Sequence, residues 1–326
     1  MTEPTLNYVS CPDADGGHRM AWWQWGSASA SHVVLCVHGL SRQGRDFDVL
    51  AQALCERAPG ALRVVCPDVV GRGRSDWLKN PMGYQVQNYA ADMLVLLNQL
   101  QPATLDWVGT SMGGLIGMVV CGQLNAAGPS QGVKAPSGGS AAHEVASVGA
   151  KGSLPLPVPV RRLVLNDVGP TIQWDAIQRI GAYLGQPVRF ASVEQAADNL
   201  WAISTSFGPH TREQWLALTR HMLKPANDAA GGFFLHYDPA IATPFNATTQ
   251  ESNALGEALL WKLYDAIQAT TLITRGAESD LLLIETARAM TGRGPRARLV
   301  EFEGVGHAPT FVAADQVRVV SDFLLA

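Results

Sequence analysis

The stretch Leu105-Asp106-Trp107-Val108-Gly109-Thr110-Ser111-Met112-Gly113-Gly114 constrains this chain more than any other. A short β-prone run enters a tight turn, and the apolar segment Met112 to Cys121 carries the chain away as a helix. Glycines at 109 and 113 remove side chains that would collide if Ser111 took a strained backbone conformation and the helix packed close to the strand. Strand, sharp turn and helix, in that order, hold a serine oxygen out of the fold. The helix starts at the serine, so the Met112 N–H has no partner within it and is free to donate to a developing negative charge.

The surroundings extend the same pattern. Val33 to Val37 is a continuous β-prone run ending at His38-Gly39, and Leu62 to Cys66 repeats it before Pro67-Asp68, so both read as buried central strands. Between them and Ser111, the residues Val86, Tyr89, Met93, Leu94, Leu97 and Leu100 recur at spacings of three and four, which makes one face of a helix apolar. Strands return at Arg162 to Asn166, Thr271 to Thr274 and Ala297 to Phe302, with a helix near Ile284 to Met290 and a last amphipathic helix carrying Val317, Val320, Phe323 and Leu324. The fold class is therefore α/β, a doubly wound, mostly parallel sheet.

Two segments break the alternation. Residues 125–159 are rich in Gly, Ala, Ser and Pro and offer little apolar surface to bury, as expected of a flexible low-complexity insertion. Residues 171–250 hold helical stretches around Trp174 to Leu184, Val193 to Ile203 and Arg212 to Leu223, with no strand run of comparable strength, and are expected to form a helical cap inserted after the sixth strand. This divides the chain into a first core part, 1–170, the cap, and a second core part, 251–326. In the cap Trp174, Tyr183, Trp201, Phe207 and Trp215 suit either an apolar pocket or packing, and packing is the commoner fate of aromatics at helical spacing.

Composition narrows the partners. The chain has 326 residues, 47% of them hydrophobic and only 16% charged, with a net charge of −4. No basic surface is available to hold a phosphate backbone, which argues against nucleic acid, and the expected substrate is small and largely uncharged. The five cysteines show neither an even count nor a CxxC spacing, so neither a disulfide framework nor a zinc site is expected. No leader pattern or membrane-length apolar run occurs, and the cytoplasm is the expected compartment. Whether the protein is a monomer or a homo-oligomer is not legible.

A lone G-x-S-x-G match is weak, because a chain this rich in Gly and Ser produces about 0.2 by chance. A second match does occur, Gly128 to Gly132 around Ser130, but without a strand before it or a helical pattern after it. Ser111 has both. A serine at neutral pH needs a base, and the base needs an acid to fix its tautomer and stabilise its charged form. Among eight histidines, His307 stands in the glycine-rich loop Gly304-Val305-Gly306-His307-Ala308-Pro309, between the last strand and the last helix, where it can reach the sheet edge. His38 ends a strand within an apolar run and reads as a structural histidine. For the acid, Asp280 lies just past the strand ending near Thr274 and fits the chain order serine, acid, histidine; Glu278 and Asp167, which follows another central strand, are the alternatives.

Taken together, His38-Gly39-Leu40, Asp68-Val69-Val70-Gly71-Arg72-Gly73-Arg74-Ser75, Gly109 to Gly114, Arg275 to Asp280 and Gly306-His307 resemble the α/β-hydrolase superfamily, in its branch of capped, esterase-like serine hydrolases. The resemblance implies that the N–H groups of Leu40 and Met112 form the oxyanion hole and that the Gly71 to Ser75 loop is structural. Serine at 111 departs from relatives that attack with a carboxylate, and Leu40-Ser41-Arg42 does not resemble the glycine-rich loop of carbon–carbon bond hydrolases. The function expected is hydrolysis of a small to medium, largely apolar carboxylic ester through an acyl-enzyme on Ser111, without metal or organic cofactor. A lactonase with the same catalytic residues, or a hydrolase-like binding protein with negligible turnover, are the alternatives.

Overall fold

The computed structural model describes residues 3–126 and 154–326. Its centre is an eight-stranded sheet of β1 (Thr5–Cys11), β2 (His18–Gly26), β3 (His32–Val37), β4 (Leu62–Pro67), β5 (Thr104–Thr110), β6 (Val160–Asn166), β10 (Thr270–Gly276) and β11 (Arg298–Phe302). The spatial order is β1-β2-β4-β3-β5-β6-β10-β11. Only β1 and β2 run antiparallel to their neighbours; every pairing from β4 to β11 is parallel. The expected doubly wound sheet is thus present. From β3 the chain goes to β4 on one side and then crosses to β5 on the other, and that reversal opens a crevice at the strands' carboxyl ends.

The apolar runs are continuous because both faces of the sheet are covered. Val33, Leu35 and Val37 point into a core shared with α2 (Val86–Leu100), α3 (Met112–Ala126), α8 (Gln250–Asp265) and α9 (Ile284–Gly292). Their alternates Val34 and Cys36 face α1 (Asp48–Arg57) and α10 (Ala314–Leu325). The period of two along one strand therefore feeds two separate cores. Helix α2 buries Tyr89, Met93, Leu97 and Leu100, as its spacing predicts, and stops at Gln101, whose left-handed backbone precedes Pro102.

Between β6 and α8 lies an inserted block: α4 (Trp174–Tyr183), α5 (Val193–Ser204), α6 (Arg212–His221) and α7 (Ala242–Asn246), with strands β7 (Arg189–Phe190), β8 (Leu223–Pro225) and β9 (Phe233–Leu235). These strands pair as a small antiparallel sheet, β7-β9-β8, which the sequence did not announce because each spans two or three residues. Thr211 and Gln214 close a capping box at the start of α6. The block has its own apolar cluster, in which Trp215 is buried and meets Trp201 edge-on with ring centroids 5.1 Å apart. No helix among the described residues is long and apolar enough to cross a membrane. Ser130 and most of the 125–159 segment lie outside the described residues.

Candidate active site

Strand β5 delivers the chain to Ser111, whose φ of +52° is a conformation that non-glycine residues seldom adopt, and α3 starts at the next residue. The flanking glycines are required by space. A Cβ on Gly113 would sit 1.9 Å from the Val37 carbonyl oxygen, and one on Gly109 would sit 2.3 Å from that of Gly113. The Ser111 N–H donates to the Asn166 carbonyl at 2.9 Å, and the Ser111 carbonyl accepts from Gly114 and Leu115 at 2.9 and 3.1 Å. In a planar trans peptide the Met112 N–H then points the opposite way, out of the start of the helix.

His307, from the loop after β11, places Nε2 3.0 Å from Ser111 Oγ and Nδ1 2.7 Å from Asp167 Oδ2. A proton on Nδ1 donates to the carboxylate and leaves Nε2 to accept from the serine hydroxyl, the tautomer a general base needs. Asp167 is fully buried and, like Ser111, has positive φ, +54°. Its Oδ1 accepts from the Gly276 N–H at 3.0 Å, while its Oδ2 accepts from Ser279 Oγ at 2.6 Å as well as from His307.

Asp280 is therefore not the carboxylate on His307. Its side chain is 54% exposed and accepts from Arg179 Nε and Nη2 at 3.0 and 2.9 Å; Glu278 is exposed as well. The sheet register explains the difference. Thr110 pairs with Asn166 and Asn166 with Thr274, so the first residues past β5 and β6 are immediate neighbours, and the Asp167 N–H donates to the Thr274 carbonyl at 2.7 Å. Strand β10 continues to Gly276, two residues beyond its expected end, and the turn after it carries Asp280 out to solvent. Asp167 satisfies the same chain order, and the signal for it was its position directly after a wholly buried strand end.

The loop after β3 approaches Ser111 from the other side. The Gly39 carbonyl accepts from His38 Nδ1 at 2.7 Å and from the Arg42 N–H at 3.1 Å, so the Leu40 N–H of the same peptide points away from both. His38 Nε2 accepts from the Val69 N–H at 2.9 Å, and burial pushes its pKa down to about 3, which keeps the ring neutral. It is a structural histidine, as its setting predicts. Arg72 is fully buried, donates to the carbonyls of Leu40 and Val70 at 2.8 and 2.7 Å, and has its guanidinium over the Tyr84 and Tyr89 rings. It braces the loop bearing Leu40.

Two chambers meet at Ser111. One, of about 280 Å³, is lined by Arg42, Tyr183, Asn199, Phe207 and Met222 and also by His307. The other, of about 250 Å³, is lined by Tyr89, Leu115, Val168, Ile177 and Phe245 and does not include His307. Leu40 and Ile180 border both. Of the five aromatics singled out in the inserted block, Tyr183 and Phe207 reach the first chamber, whereas Trp201 and Trp215 belong to the block's own packing. Elsewhere, Cys11, His18 and Asp92 bring their donor atoms within 4.8 Å of one another, the one such cluster among the described residues. Both His18 nitrogens are taken, by Asp13 and Asp92 at 3.0 Å each, in an ion-paired network that fastens the β1–β2 hairpin to α2.

A profile of the alpha/beta hydrolase family matches residues 34–320. The chain is 46% identical to a 3-hydroxybutyrate-oligomer hydrolase of Cupriavidus necator over 321 residues, which cover 98% of this chain and 97% of that one. Among solved structures it resembles an alpha/beta hydrolase from Novosphingobium aromaticivorans, with 31% identity, a TM-score of 0.75 and coverage of 100% and 99% of the two chains. A putative hydrolase from Rickettsia typhi superposes with a TM-score of 0.78 at 23% identity, with 99% of each chain covered. By sequence and by fold, this chain is a hydrolase belonging to the alpha/beta hydrolase family.

Proposed function

We propose that the protein is a carboxylic ester hydrolase in which Ser111, His307 and Asp167 form the catalytic triad. The observation that carries this reading is the unbroken chain from Ser111 Oγ to His307 to the buried Asp167 carboxylate, at 3.0 and 2.7 Å, opening onto a cavity. Ser111 Oγ attacks the ester carbonyl as its proton passes to His307 Nε2, and the Leu40 and Met112 N–H groups hold the oxyanion. The ester C–O bond then breaks. His307 returns its proton to the leaving alkoxide, and the acyl group stays on Ser111. A water enters, gives its proton to His307, and releases the acid by the same path. Asp167 keeps the imidazole in its tautomer and stabilises it when charged. The block between β6 and α8 serves as a cap that walls the two chambers.

The substrate class is a small to medium, largely apolar carboxylic ester. Within it, short oligoesters of a hydroxy acid fit best, because the Cupriavidus necator relative, similar over its whole length, is a 3-hydroxybutyrate-oligomer hydrolase. The test is hydrolysis of nitrophenyl esters of graded acyl length and of a 3-hydroxybutyrate dimer by wild type and Ser111→Ala. Wild type should turn over both classes, and the variant should lose roughly six orders of magnitude in kcat. Equal activity of the two proteins on every ester would remove Ser111 from the mechanism.

A further inference from the structure

The two chambers differ in which catalytic group faces them, and that difference orients the substrate. Proton return to the leaving oxygen requires His307 beside the leaving group, since general acid transfer works only within hydrogen-bond reach. His307 lines the 280 Å³ chamber and is absent from the walls of the 250 Å³ one, whereas Ser111 and Leu40 border both. An ester bound at Ser111 with its carbonyl oxygen toward the Leu40 and Met112 N–H groups therefore has its alcohol side in the first chamber and its acyl side in the second. The acyl side meets Leu115, Val168, Ile177 and Phe245.

The leaving-group chamber is lined by two arginines, Arg42 and Arg179, the latter paired with Asp280. Arg42 is 12% exposed and directs Nε and Nη2 to Asp46, at 2.5 and 2.9 Å, and its Nη1 donates to the thioether sulfur of Met222. A thioether is a poor acceptor for a guanidinium N–H, which pairs far better with a carboxylate oxygen. Arg42 also lies close to the chemistry: a Cβ built on Gly39 would be 3.6 Å from Arg42 Cγ and 3.7 Å from Ser111 Cβ. The base of the Arg42 side chain thus borders the same space as Ser111.

We propose that the chamber beside His307 receives the leaving group and that Arg42, through Nη1, holds a carboxylate on it, so that a hydroxy-acid oligoester is cut at the ester bond nearest its free carboxyl end, with the acyl remainder in the Leu115–Ile177 chamber. The inference rests on the serine-hydrolase reading above. It makes the enzyme exo-acting: each cycle releases one hydroxy acid as the alcohol product, and the shortened oligomer, freed by water from Ser111, presents a new terminal carboxylate.

The experiment compares kcat/KM for the inner ester bond of a 3-hydroxybutyrate dimer with that of its methyl ester, followed as release of 3-hydroxybutyrate and of methyl 3-hydroxybutyrate respectively so that cleavage of the added methyl ester is not counted, in wild type, Arg42→Gln, Arg179→Gln and Ile177→Trp. In wild type the free acid should be preferred roughly tenfold or more, the range of one charge-assisted hydrogen bond. Arg42→Gln should abolish the preference while still cleaving the methyl ester, a ratio insensitive to any general weakening of the fold. Ile177→Trp should shift acyl-length preference among nitrophenyl esters and leave the free-acid preference unchanged. Equal kcat/KM on acid and methyl ester in wild type overturns the carboxylate assignment while the Ser111→Ala result above still stands. Loss of the preference in Arg179→Gln in place of Arg42→Gln overturns the choice of residue. A change in leaving-group preference without a change in acyl preference in Ile177→Trp overturns the orientation.

Discussion

Asp167 and Asp280 follow adjacent parallel strands, β6 and β10, and face opposite worlds. Asp167 turns at positive φ directly off the strand end, has no exposed surface and meets three donors, Gly276, Ser279 and His307. Asp280 sits four residues past its strand, half in solvent, and meets one arginine of the inserted block. A buried carboxylate is tolerated only when hydrogen bonds or a cation replace its lost hydration, and the donors gathered around Asp167 do so. The lesson is that distance from the strand end, more than chain order, decides which acid can serve a histidine across the sheet edge. An exposed bidentate pair such as Arg179–Asp280 contributes at most about 1 kcal/mol and is weakened further by salt.

The comparison is easiest to break at its strong end. Asp167→Asn should lower kcat on nitrophenyl esters by about 10⁴-fold, because the amide stabilises the wrong histidine tautomer; a loss under tenfold would return the acid role to another residue. The same burial contrast separates the histidines. His38 is sealed and neutral with a pKa near 3, and His221 and His236 are held near 4, chiefly by burial. Their folded-state values lie below the unfolded value near 6.5, so the unfolded chain binds protons first and stability falls as pH drops through the window from about 6.5 to 3. Asp68, raised to about 6 by burial, and Asp46, Asp48 and Asp92, also raised by burial, act in the opposite sense, whereas Asp13, Asp76 and Asp106, held low by their hydrogen bonds despite burial, act with the histidines. Urea midpoints should therefore fall on acidification, with His38 alone contributing up to about 1.4 kcal/mol per pH unit, and His38→Gln should flatten the curve; a midpoint independent of pH across that window would contradict the placement of these rings.

Ser279→Ala removes one donor from Asp167 without touching the reacting atoms, and about a tenfold loss of kcat is expected, with KM little changed. Asp280→Asn should leave kcat on neutral esters within about threefold of wild type and shift stability by less than about 1 kcal/mol. A thousandfold loss in that variant, with the protein still folded, would reverse the assignment of the two aspartates.

What the sequence made legible follows from how local the signals are. The strand–turn–helix around Ser111 is fixed by neighbours in the chain: a Cβ on Gly109 would meet the Gly113 carbonyl at 2.3 Å, although the need for Gly113 itself comes from Val37 of the neighbouring strand. That His307 comes to rest beside Ser111 was legible because a glycine-rich loop after the last strand has few other destinations. Which carboxylate meets it was not, because that depends on register between β5, β6 and β10, a relation among residues more than fifty positions apart. The small β7-β9-β8 sheet escaped for another reason: strands of two or three residues show no periodicity to read. Which wall of the site belongs to which half of a substrate depends on where α4 and α5 come to rest, and no spacing within them states it.

The φ of +52° at Ser111 carries a consequence for the evolution of this chain. A non-glycine residue held there costs on the order of 1 kcal/mol, supported by the packing of β5 against α3. Glycine at that position would relax the backbone, so a Ser111→Gly protein should outlast its active parent on heating while hydrolysing nothing. A search for hardier variants that ignored turnover would drift toward such inert forms, and only continued demand for the reaction keeps the molecule at its less comfortable sequence.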